Sequence, residues 1–254
     1  MPAPAPEPGR ALTEPAGAPG PAPSSRGVVA GLATSVTLAA LLTLAVLGPM
    51  DALIRADRAL TDLTRGWADG LGWPVDLTAT IGEVTRPAWS TIATALLTML
   101  LLLARQRAAA LFLASSALLG IAITEGTKLL VGRQRPPGAA AFAPDLDRSF
   151  PSGHSSAGIY LYMTAGLILL RLGTGRGIGW MAALGRVLMV VGPTIGVSRL
   201  ILGVHWPSDV VAGWAFGSTA TLACALALWD PLHHGWAGSA PATARRRPVG
   251  PGAT

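Results

Sequence analysis

The sequence predicts an all-α fold, a polytopic membrane bundle with six transmembrane helices. Two compositional observations support this prediction: 51% of the 254 residues are apolar and only 13% are charged, with a mean hydropathy of +0.50. A soluble globular protein carries about twice that charged fraction. The third observation is that the apolar residues form long runs, without the alternation expected of strands in a membrane barrel.

The apolar runs define the individual elements. A helix needs about 20 apolar residues to cross a hydrocarbon core about 30 Å thick. Six runs meet this requirement, and the second begins at Pro87, a residue type favoured in the first turn of a helix. The predicted spans are residues 27–48, 87–104, 108–131, 156–172, 181–202 and 210–229. They form one predicted transmembrane domain over residues 27–230.

Both ends of the chain differ from this domain in composition. Residues 1–26 contain eight prolines among Ala, Gly and Ser, and such a segment buries too little apolar surface to offset the entropy of ordering. We therefore predict a disordered N-terminal tail, and a flexible polar C-terminal tail over residues 231–254. The apolar run from Gly27 to Met50 is too long for the core of a signal peptide, so it is predicted to be a retained span.

Arginine distribution predicts the orientation in the membrane. Six spans place both termini on one side, and nine of the 18 arginines lie on that side, whereas residues 51–86 carry four arginines against six acids. The positive-inside bias then makes both tails cytoplasmic, in the inner or plasma membrane of the cell. Residues 51–86 are predicted to form amphipathic helices at the outer interface. The tryptophans predicted at this outer level are Trp67, Trp73, Trp89 and Trp206.

Two classes of partner or site are disfavoured by the sequence. The net charge of +6 comes from scattered arginines rather than a basic stripe with interleaved aromatics, which argues against a nucleic-acid partner. The single cysteine, Cys224, can form no intrachain disulfide and supplies no cysteine-based metal cluster.

Three cations converge on the predicted outer end of the bundle. Lys128, Arg135 and Arg199 lie near span ends that all reach this side. A single lysine or arginine near the end of a span usually extends its side chain so that the charged group reaches water. A cluster of three repels itself unless it faces an anion, and the planar forks of two arginines suit phosphate oxygens.

Two histidines accompany these cations. Ser152, Gly153 and His154 directly precede the fourth span, where backbone N–H groups favour an anion, although a turn with a serine cap explains the same residues equally well. His205 and Asp209 are four residues apart, which places them on one face of a helix. The carboxylate can then keep one ring nitrogen protonated while the other acts as nucleophile or base. Two histidines and an aspartate could hold Zn²⁺, but the surrounding cations oppose a divalent ion, so no metal and no cofactor are predicted.

The spacing of these residues resembles a known signature. Lys128 to Pro136 reads K-x6-R-P, Pro151 to His154 reads P-S-G-H, and Ser198 to Asp209 reads S-R-x5-H-x3-D. These three parts, in this order, resemble the signature of the type 2 phosphatidic acid phosphatase superfamily, which also includes glucose-6-phosphatase and the vanadium-dependent haloperoxidases. The six-span layout is similar to the integral-membrane branch, whose members include undecaprenyl-diphosphatases and phosphatidylglycerophosphatases.

The resemblance implies a role for each matching residue. His205 would attack phosphorus to form a phosphohistidine, Asp209 would orient its ring, and His154 would protonate the leaving oxygen and then activate water. The residues that would bind the phosphoryl oxygens are Lys128, Arg135, Ser152, Gly153 and Arg199. The implied activity is metal-independent hydrolysis of a lipid phosphate or diphosphate at the extracytoplasmic face.

The implied partners are membrane lipids and a substrate such as a polyprenyl diphosphate, phosphatidic acid or phosphatidylglycerol phosphate. Two alternatives remain open. A haloperoxidase-like enzyme would bind vanadate in the same pocket, but that branch is soluble. A non-catalytic membrane protein that binds or transports phospholipids would have no need of the complete His205, Asp209 and His154 set.

Four residues near the signature receive weaker predictions. Glu125 lies three residues before Lys128 and is predicted to orient its ammonium group. Arg133 and Arg148 are predicted to be solvated loop charges, with a second phosphate or a headgroup as the alternative partner. Ser198 belongs to the signature without a predicted role.

Overall fold

The computed structural model of the protein describes residues 25–48, 51–139, 142 and 148–228. All regular elements in these ranges are helical, as the sequence predicts. The α-helices are α1 (Ser25–Leu47), α2 (Asp51–Leu71), α3 (Trp73–Val84), α4 (Pro87–Leu103), α5 (Arg107–Val131), α6 (Gly153–Ala157), α7 (Thr164–Arg176), α8 (Gly179–Ile201) and α9 (Pro207–Ala227). A π-helical segment, Gly158–Met163, joins α6 to α7. Residues 1–24 and 229–254 lie outside the described ranges, so the predicted disorder of the tails stays a prediction.

The predicted spans correspond to helices, with one difference. Five units are long and apolar enough to cross a membrane: Arg26–Leu47, Arg107–Val131, Gly153–Arg176, Gly179–Ile201 and Pro207–Ala227. The predicted second span, residues 87–104, forms the 17-residue helix α4. This helix meets the length requirement only together with α3, from which it is bent by 53°. The described residues therefore contain five candidate spans, or up to six if the bent pair counts as one.

The bundle is arranged around α9. Helices α1 and α5 pack against α9, α4 packs against α5, and α8 packs along α7 and the π-helical segment. The largest apolar cluster lies between α5, the π-helical segment and α7, and it includes the fully buried side chains of Phe112, Leu113 and Ile168. This core packs α5 against the π-helical segment and α7.

Glycines bring α8 close to its neighbours. A Cβ atom added to Gly158 would collide with the backbone oxygen of Gly192, and one added to Gly192 would collide with that of Gly158. Helices in a membrane associate through such close backbone approach, because burial away from lipid provides little driving force. The contact locks α8 beside the segment that follows α6.

Helices α2 and α3 lie across the end of the bundle where α5 and α8 end and α6 and α9 begin. Helix α2 contacts α8 and α9, and α3 contacts α8. The buried face of α2 carries Asp57, Thr61 and Ala68, while Leu63 and Trp67 are more than half exposed. Helix α2 therefore turns a narrow face with Asp57 into the protein, while its outward surface carries both apolar and charged side chains.

Candidate active site

Four helix ends bring the predicted site residues together. Lys128 lies in the last turn of α5 and Arg199 in the last turn of α8, while His154 and Asp209 lie in the first turns of α6 and α9. These helices alternate in direction, so the four ends meet at one end of the bundle. The loops between them add Arg135 and His205.

His205 is buried between a cation and a carboxylate. Its Nε2 atom lies 3.2 Å from Nη1 of Arg135, and its Nδ1 atom lies 3.4 Å from Oδ2 of Asp209. A guanidinium group can only donate, so Nε2 accepts this hydrogen bond and the ring hydrogen is on Nδ1. The ring is therefore in the tautomer that carries its hydrogen on Nδ1 and has a lone pair on Nε2.

The pairing of His205 with Asp209 comes from a turn rather than from a shared helix face. Helix α9 begins at Pro207, so His205 precedes it, which corrects the prediction that both residues are helical. The Asp209 carboxylate accepts a 3.0 Å hydrogen bond from the backbone N–H of Trp206, and this capping interaction places Oδ2 beside the ring. The backbone N–H of Ser152 also donates to the Asp209 carbonyl at 2.9 Å, which ties α6 to α9.

Burial is the main cause of the lowered pKa of the His205 ring. Desolvation, together with the positive charges of Arg135 and Lys128, lowers the pKa of His205 to about 4, and Asp209 acts in the opposite direction. The ring is therefore neutral at pH 7. Burial also lowers the pKa of Arg135, and the charge of Asp209 opposes that shift.

Arg199 is buried beneath α3. Its Nη2 atom donates to the backbone oxygen of Thr78 at 2.6 Å, and Nε and Nη2 both donate to Oγ of Ser198, at 3.1 and 2.9 Å. Ser198, for which the sequence suggested no role, thus orients the guanidinium group. A Cβ atom on Gly82 would collide with that guanidinium, so the glycine of α3 makes room for it.

His154 also faces α3. Its Nε2 atom lies 3.3 Å from the backbone oxygen of Gly82, and because a carbonyl only accepts, this nitrogen carries the hydrogen. The side chain of Ser152 accepts a 3.3 Å hydrogen bond from the N–H of Ser155, so the serine does cap α6. An anion site at the same helix terminus remains a prediction.

Lys128 and Gly153 are close neighbours. A Cβ atom on Gly153 would lie only 3.1 Å from Nζ of Lys128, so the glycine lets the ammonium group approach the start of α6. Nζ also pairs with Oε1 of Glu125 at 2.7 Å, which confirms the predicted contact between the two side chains. Arg135 donates to the carbonyl oxygens of Val204 and Arg148, at 2.7 and 3.2 Å.

The prediction for Arg133 is wrong. Its side chain is only 14% exposed and pairs with two carboxylates, Oδ1 of Asp209 and Oδ2 of Asp57, each at 2.7 Å. Nη1 also donates to Oγ of Ser208 at 2.7 Å, and the guanidinium lies 5.4 Å from the ring centroid of Trp206. A charge in a loop is usually solvated, and the local sequence does not reveal a partner that lies 76 residues away in α2.

Asp57 is the residue that sequence reasoning missed. It is buried on α2, where it accepts hydrogen bonds from the N–H and Oγ of Ser208 at 2.9 and 2.6 Å as well as from Arg133. The available signal was its position on the same helical face as Thr61 and Ala68, opposite the solvated charges. Among the residues that the structure describes, no group of three or more His, Cys, Asp or Glu side chains is arranged to hold a metal ion.

The chain is similar to several known proteins. Residues 108–232 match the model of the PAP2 superfamily. The chain is 33% identical over 125 residues to undecaprenyl-diphosphatase of Sulfolobus acidocaldarius, an alignment that covers 47% of this chain and 55% of the relative. It is 36% identical over 121 residues to decaprenylphosphoryl-5-phosphoribose phosphatase of Mycobacterium tuberculosis, covering 46% of this chain and 60% of the relative. The chain thus spans little more than half the length of these curated relatives.

A solved structure shares the fold. It is a transmembrane PAP2-type phosphatidylglycerolphosphate phosphatase from Bacillus subtilis, with a TM-score of 0.62 and 19% sequence identity. The superposition covers 81% of this chain and 96% of the other. Together with the apolar helices, this neighbour shows a multi-pass membrane protein.

Proposed function

Because residues 108–232 match the model of the PAP2 superfamily, we propose that the protein is a metal-independent phosphatase that hydrolyses a lipid phosphate or diphosphate. One observation carries the proposal. Nε2 of His205 holds its lone pair 3.2 Å from the Arg135 guanidinium, while the ring hydrogen faces Asp209. This is the geometry of a nitrogen nucleophile beside a site for phosphoryl oxygens.

The proposed reaction has two steps. In the first, Nε2 of His205 attacks phosphorus, a P–N bond forms, and the P–O bond to the lipid breaks as His154, in its imidazolium form, donates its Nε2 proton to the leaving oxygen and becomes neutral. In the second, His154 takes a proton from water, the hydroxide attacks phosphorus, and the P–N bond breaks to release phosphate. Asp209 stabilises the positive charge that the ring acquires between the steps.

The cations stabilise the charge that develops on phosphorus. Lys128 lies beside Gly153 at the start of α6, and Arg135 lies beside His205. Together with Arg199, these two cations would face the equatorial oxygens of the phosphoryl group. Their positions are held by protein atoms before substrate binds, as the bonds of Arg199 to Ser198 and Thr78 illustrate. Preorganised donors of this kind need little rearrangement during the reaction.

The substrate proposed here is a polyprenyl phosphate or diphosphate. The names of the relatives from Sulfolobus acidocaldarius and Mycobacterium tuberculosis both include a polyprenyl group, and an apolar chain of that kind fits among membrane helices. Phosphatidic acid and phosphatidylglycerol phosphate are the glycerolipid alternatives.

We propose that the site lies at the extracytoplasmic face, with both tails in the cytoplasm. The arginine distribution supports this orientation. Chain connectivity supports six crossings, because α4 leads from α3, at the site end of the bundle, to α5, which ends at the site with Lys128. A 17-residue helix is about 26 Å long, slightly shorter than the hydrocarbon core.

The function is tested with the full chain purified in detergent. Wild type and His205→Ala are compared for phosphate release from polyprenyl and glycerolipid phosphates, with EDTA present throughout. We expect release by the wild type alone, with competitive inhibition by vanadate, which adopts the trigonal-bipyramidal geometry of the transition state. Equal release by His205→Ala would exclude the proposed nucleophile, and a requirement for added metal would exclude the metal-independent mechanism.

A further inference from the structure

We propose that Arg133 and Asp57 are positioning residues of this site, which hold the Asp209 carboxylate in the orientation that keeps the His205 ring hydrogen on Nδ1. The inference rests on the proposed function, because it assigns a purpose to the orientation of a nucleophile. Arg133 occupies an unspecified position of the first signature segment, and Asp57 lies in α2, outside residues 108–232.

The two oxygens of Asp209 have separate partners. Oδ1 accepts from Nη1 of Arg133 at 2.7 Å, whereas Oδ2 accepts from the backbone N–H of Trp206 and faces Nδ1 of His205. Rotation of the carboxylate would break the contact with Arg133. The guanidinium therefore leaves only Oδ2 available to the ring.

Asp57 holds the guanidinium in turn. Nη2 of Arg133 donates to Oδ2 of Asp57 at 2.7 Å, so the two ends of the fork are anchored to different carboxylates. Asp57 is fixed independently by two hydrogen bonds from Ser208, one from the backbone N–H and one from Oγ. A lysine could not span both carboxylates, because its single ammonium lacks the planar fork.

Burial makes these contacts specific. Asp57 and Asp209 are almost fully buried, and a buried carboxylate requires a cation or several donors to remain charged. The Trp206 ring covers the guanidinium from one side. An exposed ion pair between long side chains would change partners readily, whereas none of the side chains of Asp57, Arg133 and Asp209 is more than 14% exposed.

The charges of Asp57, Arg133 and Asp209 also affect the pKa of the His205 ring. Arg133 offsets the negative charge of Asp209, so loss of its fork increases the attraction of Asp209 for a proton on His205 and raises the pKa of the ring. The other charged or titratable groups near the ring are Arg135, Lys128 and His154, and they are unchanged in the variants below. A raised pKa leaves less of the neutral ring for attack.

The first test is kinetic. Arg133→Lys and Asp57→Asn are compared with Arg58→Lys and Asp62→Asn, matched substitutions at exposed positions of α2. We expect kcat to fall about ten- to hundredfold in the first pair with little change in KM, as is typical when the partner of a reacting group is lost. The control pair should remain within about twofold of wild type. The double variant should be no slower than Arg133→Lys, because Asp57 acts through Arg133.

The second test does not depend on turnover. Full-length protein labelled with ¹⁵N in its histidine rings is titrated in detergent, and the His205 signal is assigned by its absence from His205→Ala. We expect the Nδ1–H tautomer in the wild type, a higher titration midpoint in Arg133→Lys, and partial loss of that tautomer in both Arg133→Lys and Asp57→Asn.

The two tests separate this inference from the proposed function. An unchanged tautomer and midpoint in both variants would overturn the positioning role even if the lipid substrates are hydrolysed. A shifted midpoint supports it even if none of the lipids tested is a substrate. The thermal midpoint of each variant identifies unfolding, and Asp57→Asn, which keeps an acceptor for Ser208, is the variant expected to retain the fold.

Discussion

The ends of α5, α6, α8 and α9 differ from the α2–α3 segment in what they contribute to the site. The bundle ends supply charged and titratable side chains, whereas α3 supplies backbone oxygens at Thr78 and Gly82 and α2 supplies one carboxylate, Asp57. Side chains of rare types at fixed spacing are visible in a sequence. Backbone carbonyls are present in every residue, so their role becomes visible only in three dimensions.

The largest effect is expected for Asp209→Asn, which tests the contribution of the ends of α5, α6, α8 and α9. The amide keeps the shape but loses the charge, and its NH₂ group can force the wrong ring tautomer on His205, so we expect kcat to fall about 10³-fold or more. The measurement is phosphate release at saturating substrate. A fall of less than tenfold, with an unchanged thermal midpoint, would mean that the orientation of His205 does not depend on Asp209.

The strongest test of the α3 side is Gly82→Ala. The added Cβ would meet the Arg199 guanidinium, so we expect that group to shift and kcat/KM to fall about tenfold. Gly70→Ala, near the end of α2, is the matched control because a Cβ atom there meets nothing within 4 Å. It should keep full activity and gain up to about 1 kcal/mol of stability. Equal activity of the two variants would show that α3 plays no part in the site.

The pH dependence tests whether burial by both regions controls His205. The ring attacks in its neutral form, and its pKa is lowered to about 4, so activity should persist down to about pH 4 and be lost below it as the ring is protonated. The check is the titration midpoint of the ring, which separates His205 from ionisation of the substrate phosphate. A midpoint at 6.5 or higher would show that pairing with Asp209 outweighs burial.

The smallest effect is expected for Glu125→Gln. This substitution removes the carboxylate that pairs with Lys128, but the Glu125 side chain is 54% exposed and the pair is screened by water. We expect less than about threefold change in kcat/KM and less than 1 kcal/mol change in stability. A tenfold loss of kcat/KM would show that the site depends on Glu125.

The bounds of several helices could be predicted because charged residues and glycines clearly interrupt the apolar runs. The predicted span 108–131 became Arg107–Val131 and 181–202 became Gly179–Ile201, since charged residues and glycines mark their ends. The predicted span 156–172 was too short at its start, where the structure begins the helix at Gly153. Small polar residues there are buried at the site rather than solvated, which a hydropathy criterion does not recognise.

The site was predictable where residue type and spacing carry the chemistry. His154, His205, Asp209 and the three cations were identified in this way, and the structure places them at one end of the bundle. Arg133 was assigned wrongly because its environment is set by Asp57, which is distant in sequence. Local reasoning treats a loop arginine as solvated, since its most common surroundings are water.

The contacts of α3 have a consequence for ligand affinity. The oxygens of Thr78 and Gly82 accept hydrogen bonds from Arg199 and His154, two of the groups that a phosphoryl oxygen would use. Helix α3 thus holds both groups in place through its backbone before a ligand arrives. Substitutions that weaken the packing of α3 on α8 are therefore expected to loosen both groups and to weaken phosphate binding, without any change in the residues that bind it.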